Sequence, residues 1–259
     1  AYNTEFPGLV AFFDVEDPKR RIGGDRTEFL GRNGSMAAPA ALGRAHWSSR
    51  LGAGLDPCAA IQLDIALEPG EKRELVFRMG LGRDEAAASA LVHRFRRNGT
   101  AADELLRVHA QWDALLGAVQ VRTPETGVDL LANRWLMYQA IACRFWARSG
   151  YYQSGGAVGY RDQLQDAMAM VHAAPSLLRA QLLLCAAHQF PEGDVQHWWH
   201  PPLDRGVRTQ CSDDYLWLPL ATARYVLATG DMAVLDEPVA YIEGRALLPG
   251  EESYYDLPQ

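Results

Sequence analysis

The spacing of apolar residues changes partway along the chain, and this change constrains the fold more than any other feature of the sequence. Between residues 61 and 67, and again between residues 75 and 81, apolar residues occupy every second position. From Asp84 onward they recur every three or four positions instead. Period two is typical of half-buried strands, and period 3.6 is typical of amphipathic helices. The sequence therefore predicts a β-rich first part followed by an all-α second part.

The two alternating segments of the first part are separated by a turn signal. Pro69 suits the first central position of a type II turn, and Gly70 accepts the positive φ that the second requires. This pattern predicts a hairpin built from residues 61–67 and 75–81. Further strands are predicted over residues 9–15 and 27–30, with a Gly- and Arg-rich loop at 21–26. An antiparallel sandwich is the natural packing for such strands.

Helix signals run through the rest of the chain. Thr123 suits the N-cap of one helix and Pro124 its first position. Gly230 is predicted to stop the last long helix, and Asp231 to cap the next. The predicted helices are residues 84–96, 101–116, a helix from 123, 175–188 and 215–229. The helix from 123 presents one apolar face that is predicted to be core: Val128, Leu131, Trp135, Tyr138, Ala142 and Phe145.

The charge balance narrows the kind of ligand. The chain has 259 residues, of which 25 are basic and 32 acidic, and a net charge of -7. An acidic protein is poorly suited to nucleic acid or an anionic membrane surface, so we predict a neutral ligand and no nucleic-acid partner. No apolar run reaches about 18 residues, the length that indicates a membrane-spanning helix.

The four cysteines are far apart and form no CxxC pair, so neither a zinc site nor a disulfide framework is predicted. Free cysteines fit a reducing compartment, and a cytoplasmic location is expected. The chain does not begin with Met, and no helix or strand signal closes it at residues 257–259. We interpret it as a segment of a longer polypeptide, and the sequence leaves a homodimer open.

The most informative motif lies where a loop meets a helix. Residues 151–159 are rich in glycine and tyrosine, and residues 160–166 read Tyr-Arg-Asp-Gln-Leu-Gln-Asp. Guanidinium and carboxylate groups form charge-assisted hydrogen bonds to sugar hydroxyls, and aromatic rings stack on pyranose faces. A sugar site is therefore one interpretation. The alternative is that Asp162 complements the helix dipole, Arg161 pairs with it, and Gln163 is surface.

A second cluster, residues 196–202, combines Trp198 and Trp199 with histidines and prolines, and it is predicted to be a loop. An aromatic wall for a sugar is one interpretation, and ordinary loop packing is the other. A metal site would need a ligand set such as His188, Asp194, His197 and His200. No standard metal motif covers these residues, so no metal is predicted.

A third cluster, residues 208–219, places Asp213 and Asp214 just before an apolar helix. Adjacent carboxylates at such a position are most simply N-cap and first-turn residues. Paired carboxylates also serve glycosidic chemistry, which leaves a functional role open. The sequence has no GxSxG, GxxxxGK[ST], HExxH or complete GxGxxG motif, so the enzyme classes that use them are not indicated.

Together these motifs resemble glycoside hydrolase family 94, formerly grouped as glycosyltransferase family 36. The resemblance rests on residues 160–166 and on residues 211–219, Cys-Ser-Asp-Asp-Tyr-Leu-Trp-Leu-Pro. Residues 25–34 and 52–60 are similar to the phosphorylase-like C-terminal region of cyclic β-1,2-glucan synthases and to 1,2-β-oligoglucan phosphorylases. The resemblance spans nearly the whole chain.

The resemblance implies an α+β multidomain architecture: a β-sandwich portion over residues 1–82, linker helices over 83–120 and part of an (α/α)6 barrel over 121–259. It also implies an inverting reaction that makes or cleaves β-glucosidic bonds. One carboxylic acid protonates the departing oxygen while inorganic phosphate attacks from the opposite face. The expected partners are a β-linked gluco-oligosaccharide and inorganic phosphate, with no other cofactor. In a cyclic glucan synthase the chain would be attached to the inner membrane.

The resemblance also assigns site residues. Arg161 and Asp166 are expected to hold the hydroxyls of the glucose whose anomeric carbon reacts. The other expected substrate-binding residues are Tyr160, Asp162, Gln165, Trp198, Trp199, Asp213 and Asp214.

The sequence departs from the family pattern at the general acid. In the family this residue is the last Asp of an Asp-Trp-Asn-Asp motif, and no Trp-Asn-Asp occurs here. We therefore expect the general acid, the phosphate site and the rest of the barrel in polypeptide beyond Gln259, with Asp213 as the fallback acid. The alternatives are a non-catalytic carbohydrate-binding or structural module, and an inverting hydrolase with a second carboxylate that activates water.

Overall fold

Four short strands precede the first long helix, in the order that the change of apolar period predicts. The computed structural model describes residues 6–97, 99–147 and 156–256. Contacts divide the chain into two units, with the division between Leu106 and Arg107. The first unit contains four strands, and the second contains most of the helices.

The strands of the first unit form two antiparallel pairs. β1 (Val10–Val15) pairs with β4 (Phe77–Gly82). β2 (Arg21–Asp25) pairs with β3 (Pro57–Gln62). In both pairs the partners are distant in sequence, so the pairing depends on non-local contacts rather than on a connecting turn.

The predicted hairpin is wrong in this structure, although its turn is present. Gly70 has φ 85°, and the Glu71 N–H donates to the Glu68 carbonyl at 2.9 Å. The strands on either side pair with β1 and β2 instead of with each other. Arg21 of β2 forms hydrogen bonds to both carboxylate oxygens of Asp64, at 2.9 and 3.3 Å, which holds the end of β3 beside β2.

Two other local predictions in this unit are wrong. Residues 21–26, predicted as a loop, contain β2, and residues 27–30, predicted as a strand, lie in helix α1 (Arg26–Leu30). The reason is Asp25, whose carboxylate accepts hydrogen bonds from the backbone N–H groups of Thr27 and Glu28 and so caps the helix. A short 3₁₀ helix, Ala40–Gly43, follows before β3.

Helix α2 (Glu85–Phe95) begins where the sequence predicts a helix, and it packs on the β1–β4 pair. Asp84 is its N-cap and accepts a hydrogen bond from the Ala87 N–H at 2.7 Å. The packing is close, because a Cβ atom at Gly82 would lie 2.4 Å from the backbone nitrogen of Ala88. Glycine at position 82 therefore lets the helix approach the strand.

A buried ion cluster fixes the same helix to β1. Asp14 of β1 is buried and accepts hydrogen bonds from the guanidinium group of Arg96, with Arg78 of β4 3.7 Å away. The hydrogen bond from Arg96 is the main reason that the pKa of Asp14 is lowered. Helix α2 thus belongs to the first unit, and the division falls within α3 (Thr100–Leu116), inside the predicted linker.

The second unit continues from α3 into an interrupted helix. Asn133 and Arg134 have non-helical backbone angles. The Asn133 side chain accepts a hydrogen bond from the Val121 N–H and donates one to the Val121 carbonyl, which draws the backbone out of the helix. The segments are α4 (Thr126–Leu130), a π-helical stretch (Leu131–Trp135), α5 (Leu136–Gln139) and a second π-helical stretch (Ala140–Trp146).

The predicted core face of this interrupted helix is wrong over most of its length. Val128, Leu131, Trp135 and Tyr138 are each at least 40% exposed. Only towards its end does the helix reach the core, where Phe145 packs against buried residues. After the break, the Tyr138 ring contacts Trp135 and Trp112 of α3 rather than the core.

The core of the second unit lies among three helices and a sheet. α6 (Tyr160–Met168), α7 (Pro175–Ala186) and α8 (Asp214–Thr229) pack against one another. Gly230 ends α8 with φ 73°, and Asp231 caps the following 3₁₀ helix, Met232–Asp236, as predicted. The buried residues of this core include Leu164, Leu178, Leu182, Trp199 and Ala221.

A four-stranded antiparallel sheet completes the second unit. Its strands are, in spatial order, β5 (Val158–Gly159), β6 (Gln196–His200), β7 (Arg205–Thr209) and β8 (Ser253–Asp256). The loop predicted over residues 196–202 is therefore wrong for β6, and the second unit is not all-α. Within the described residues, no helix combines the length and apolar character that a bilayer crossing requires.

Arg208 of β7 is the most highly connected buried side chain in this sheet. It is 2% exposed. Its guanidinium group donates to both carboxylate oxygens of Asp194, at 2.6 and 2.5 Å, and to the carbonyls of Gly244 and Arg245. It also lies 3.8 Å from the ring centroid of Phe190. These contacts tie β7 to two loops that are remote from it in sequence.

We predict that Arg208→Met destabilises the chain by about 3–5 kcal/mol, because removing one member of a buried ion pair leaves the other charge uncompensated. Urea denaturation followed by tryptophan fluorescence measures the effect. Arg205→Ala on the same strand is the matched control, since Arg205 is exposed and should change stability by less than about 0.5 kcal/mol. Equal effects of the two substitutions would contradict the prediction.

Candidate functional site

The candidate site lies at the N-terminal ends of α6 and α8, beside β6. Five polar side chains meet there: Arg161, His197, Cys211, Asp213 and Asp214. We call them the Asp213–Asp214 cluster. Helix N-termini favour carboxylates, because the helix dipole places partial positive charge at that end.

A short turn between β7 and α8 sets the positions of the two aspartates. The Thr209 hydroxyl accepts a hydrogen bond from the Cys211 N–H at 3.1 Å, and the Asp214 N–H donates to the Cys211 carbonyl at 3.3 Å. Asp214 then enters the first turn of α8 and is buried, whereas Asp213 stays partly exposed. Adjacent carboxylates thus occupy very different environments.

The Asp213 carboxylate does not act as the helix cap that its position suggests. One oxygen accepts hydrogen bonds from Arg161 at 3.1 Å and from the Trp217 indole N–H at 3.2 Å. The other accepts from the Cys211 thiol at 3.0 Å. These bonds lower the pKa of Asp213 and keep it ionised at neutral pH, and the hydrogen bond from Cys211 has the largest effect. Such a carboxylate is poorly suited to donate a proton as a general acid.

Cys211 is held as a thiol by the same contact. The hydrogen bond to Asp213, together with burial and the nearby Asp214 charge, raises the pKa of Cys211 to about 11. A thiol with this pKa is a poor nucleophile and a poor metal ligand near pH 7, because both roles require the thiolate.

Asp214 and His197 form the buried side of the cluster. The Asp214 side chain is 1% exposed, and its Oδ2 lies 2.7 Å from Nδ1 of His197. This hydrogen bond is the main reason that the pKa of His197 is raised, with the charges of Asp162 and Asp213 adding to it.

Arg161 extends the cluster towards solvent. Its guanidinium carbon lies 5.4 Å from the ring centroid of Trp217, and about half of the side chain is exposed. Arg161 pairs with Asp213. The dipole interpretation required a pair between Arg161 and Asp162, so that part of it is wrong. Asp162 is close to the backbone, since a Cβ atom at Gly159 would lie 2.6 Å from its Oδ2.

Asp166 pairs with Arg144 and not with Arg161. Its Oδ2 accepts a hydrogen bond from Arg144 at 2.6 Å, and Gln163 in turn donates to the Arg144 carbonyl at 2.5 Å. The five-residue spacing of Arg161 and Asp166 places them on different sides of α6. Arg161 and Asp166 therefore share no contact in the structure, and their joint role in sugar binding stays a prediction.

The aromatic residues of the predicted sugar wall divide into core and surface. Tyr160 and Trp199 are fully buried, and Trp199 stacks on His188 with ring centroids 3.7 Å apart. Neither presents a ring face to solvent in this structure. Trp198 is half-buried against His200 and Tyr255, and Gln165 is exposed on α6. The tyrosine-rich loop over residues 151–155 lies outside the described residues.

Of the four residues named as a hypothetical metal-ligand set, His188, Asp194 and His197 have protein partners, and that of His197 is Asp214. Asp194 pairs with Arg208, and His188 contacts the Leu184 carbonyl through Nδ1. Burial lowers the pKa of His188, which favours the neutral ring. Elsewhere, His197, Cys211 and Asp214 have ligand-type atoms within 4.8 Å of one another. Hydrogen bonds already involve each of these three side chains.

Sequence reasoning missed several members of the site. The sequence motifs offer His197 only as a metal ligand, and they assign no role to Cys211, Trp217 or Arg144. The Trp217 position carries a signal in hindsight, because it is four residues after Asp213 on a helix and such pairs are neighbours. His197 has no comparable signal, since its partner is 17 residues away on another element.

We predict that Asp213→Ala lowers the pKa of Cys211 from about 11 towards the ordinary thiol range, because the substitution removes the hydrogen-bond acceptor. The pH dependence of iodoacetamide labelling measures this pKa in a chain that also carries Cys58→Ser and Cys143→Ser. Cys185 is buried and should react slowly. The exposed carboxylate of Asp236 gives the control variant Asp236→Ala. An unchanged labelling profile in Asp213→Ala would contradict the described contact.

The match to known proteins follows the same two-part order. The model of the glycosyl hydrolase 94 supersandwich domain matches residues 1–98, and that of the glycosyl hydrolase 94 superfamily catalytic domain matches residues 111–255. These matches confirm the resemblance inferred from residues 160–166 and 211–219.

Individual relatives agree with the family models. The chain is 41% identical over 256 residues to the cyclic beta-(1,2)-glucan synthase NdvB of Rhizobium meliloti (strain 1021), covering 98% of this chain and 9% of that protein. It is 28% identical over 284 residues to the N,N'-diacetylchitobiose phosphorylase of Vibrio proteolyticus, covering 98% and 34%. It is 28% identical over 220 residues to the solabiose phosphorylase of Paenibacillus borealis, covering 84% and 27%.

The chain therefore spans at most 34% of the length of these relatives. The catalytic-domain model alone matches more than half of the chain, and the supersandwich model accounts for most of the rest. On this evidence the chain belongs to the glycosyl hydrolase 94 superfamily.

Proposed function

We propose that this chain is part of an enzyme that makes or cleaves β-glucosidic bonds of a glucan with inorganic phosphate as co-substrate. The similarity to a protein named as a cyclic beta-(1,2)-glucan synthase, together with the phosphorylases, supports this reaction class. The proposal includes no other cofactor. A cytoplasmic location, at the inner membrane if the parent is a glucan synthase, and a homodimer stay predictions.

The observation that carries the proposal is the arrangement of Arg161, Asp213 and Trp217. An exposed guanidinium–carboxylate pair offers donors and acceptors to vicinal hydroxyls, and both groups are fixed by the Trp217 indole. Charge-assisted hydrogen bonds of this kind suit a neutral, polyhydroxylated ligand. We propose that Arg161 and Asp213 contact the sugar, with Asp162, Asp166, Gln165 and Trp198 as further members of the binding surface. Asp214, also expected to bind substrate, is too buried to contact the ligand directly.

In the proposed reaction a carboxylic acid protonates the departing glycosidic oxygen while phosphate attacks the anomeric carbon from the opposite face. The acid must hold a proton near neutral pH. Asp213 is held ionised by its hydrogen bonds, so it does not meet this requirement in the described structure. We therefore propose that the general acid and the phosphate site lie in polypeptide beyond Gln259.

The surface of α8 supports the presence of further packing elements. Leu216, Leu220 and Leu227 are between 53% and 87% exposed, and an apolar groove beside them is lined by Met168 and Val171 of the α6 region. Large exposed apolar patches mark surfaces that another element covers. We propose that more helices of the same catalytic domain, completing an (α/α)6 barrel, cover this face.

The first test is sugar binding. Isothermal titration calorimetry of the chain with a β-1,2-gluco-oligosaccharide should show binding that Arg161→Ala weakens by about 10- to 100-fold, the effect typical of a hydrogen bond to a charged group. Asp166→Ala should also weaken binding. Arg224→Ala is the control, since Arg224 lies on α8 beside the apolar groove. Unchanged affinity in both Arg161→Ala and Asp166→Ala would contradict the site.

The second test is turnover. The 259-residue chain, incubated with β-1,2-gluco-oligosaccharides and phosphate, should release no α-glucose 1-phosphate, whereas a longer polypeptide that continues past Gln259 should release it. Loss of the general acid alone lowers such rates by about 10²- to 10⁴-fold. Phosphate-dependent release by the short chain that Asp213→Asn abolishes would make Asp213 the acid. Sugar binding without turnover in the longer polypeptide would instead support a non-catalytic module.

A further inference from the structure

The pair formed by His197 and Asp214 has no role in the reaction described above, although its geometry is closely controlled. Asp214 is buried at the start of α8, and its Oδ1 has no hydrogen-bond partner among the described residues. A buried carboxylate is costly unless it is paired. The hydrogen bond from His197, at 2.7 Å to Oδ2, is the contact that compensates this charge.

The backbone of β6 directs His197 towards this pair. The register of β6 against β7 shifts between Gln196 and Trp198, so His197 is the additional residue of a β-bulge. Bulges redirect a side chain relative to regular alternation and are common beside active sites. The residue before the bulge is fixed in the core, because Gln196 is buried and its amide donates a hydrogen bond to the Asp204 carbonyl.

The other nitrogen of His197 is available. The side chain is 38% exposed, and Nε2 makes no hydrogen bond to any described residue. With Nδ1 committed to Asp214, Nε2 is the ring nitrogen left to contact a ligand, and the ring is close enough to Asp162 and Asp213 for their charges to act on it. Both of those side chains are also about half exposed.

The charges around His197 favour its protonated form. Acidic groups face it from two elements: Asp162 on α6, and Asp213 and Asp214 at the start of α8. Cys211 lies in the turn before α8 as a neutral thiol, and Arg161 on α6 is paired with Asp213. Arg208 on the neighbouring strand is paired with Asp194. The carboxylates near His197 outnumber the cations, which disfavours an anionic ligand such as phosphate and favours a neutral one.

We propose that His197 is a sugar-binding residue that donates a hydrogen bond from Nε2 to a sugar oxygen, and that Asp214 is the residue that positions it. This inference rests on the proposed sugar site around Arg161. It adds a donor from β6 to a surface otherwise built from α6 and α8.

The first arm of the test measures the pair without ligand. NMR titration of the His197 ring in the whole chain should give a pKa above the ordinary histidine value, and Asp214→Asn should lower it. An unshifted His197 pKa in the unsubstituted chain would overturn the proposal. If Asp214→Asn fails to fold, His197→Gln tests the proposal in the second arm instead, because Gln retains a donor without titrating near neutral pH.

The second arm measures sugar affinity against pH by calorimetry with a β-1,2-gluco-oligosaccharide. Protonated His197 is the donor, so affinity should be highest below the raised pKa and fall about 3- to 10-fold as pH rises through it. His197→Gln should bind more weakly at pH 6 and lose this pH dependence. His200→Gln on the same strand is the control and should retain it.

The outcomes separate this inference from the proposed function. If Arg161→Ala removes sugar binding while His197→Gln keeps the unsubstituted affinity and pH profile, this inference is wrong and the sugar site stands. If the unsubstituted chain binds no sugar at any pH, both are wrong. Titration with inorganic phosphate alone completes the set, because phosphate binding that depends on His197 would overturn the assignment to sugar.

Discussion

The buried guanidinium group of Arg208 is the contact on which the geometry of the second unit depends. All three of its nitrogens donate hydrogen bonds, to the carboxylates of Asp194 and Glu192 and to two backbone carbonyls. A buried charge costs several kcal/mol unless such partners are present, so these hydrogen bonds favour the observed position of β7 beside the two loops. The chain passes directly from β7 into the turn that carries Asp213 and Asp214. The site is therefore placed by an ion pair that takes no part in its chemistry.

The two adjacent aspartates show how environment divides roles between identical side chains. Asp213 is solvated and accepts three hydrogen bonds, so its charge is stabilised and available at the surface. Asp214 is buried with one partner, and its charge acts on His197 instead. Neighbouring carboxylates in different environments commonly serve different functions. The pair resembles an exposed ligand contact backed by an internal positioning group more than it resembles two equivalent catalytic acids.

Local signals in the sequence predicted the parts of the fold that local interactions stabilise. The caps at Asp84 and Gly230 mark the ends of α2 and α8, and the family motifs predicted the Arg161 region. The strand pairs of the first unit depend on contacts between distant residues, and β-propensity says little about which strands will pair. The turn at Gly70 formed without its hairpin for this reason. In α1 the Asp25 cap overrides the strand pattern of residues 27–30.

The site was harder to predict than the fold, because its contacts join elements that are remote in sequence. The pairing of His197 with Asp214 depends on a β-bulge, and the pairing of Arg161 with Asp213 crosses 52 residues. Neither pairing can be recognised from the spacing of residues in the sequence. Residue type alone also misplaced Tyr160 and Trp199, since a large aromatic ring suits a sugar surface and a core equally well, and only burial distinguishes the two.

The distribution of protons in the cluster bears on where the chemistry takes place. The thiol of Cys211 and the ring of His197 hold protons because carboxylates accept hydrogen bonds from them, and Asp213 is ionised for the same reason. A general acid needs the opposite surroundings, in which burial or a like charge raises the pKa of a carboxyl group. The cluster therefore has the electrostatics of a binding surface. Under the proposed function, a group other than Asp213 therefore protonates the glycosidic oxygen.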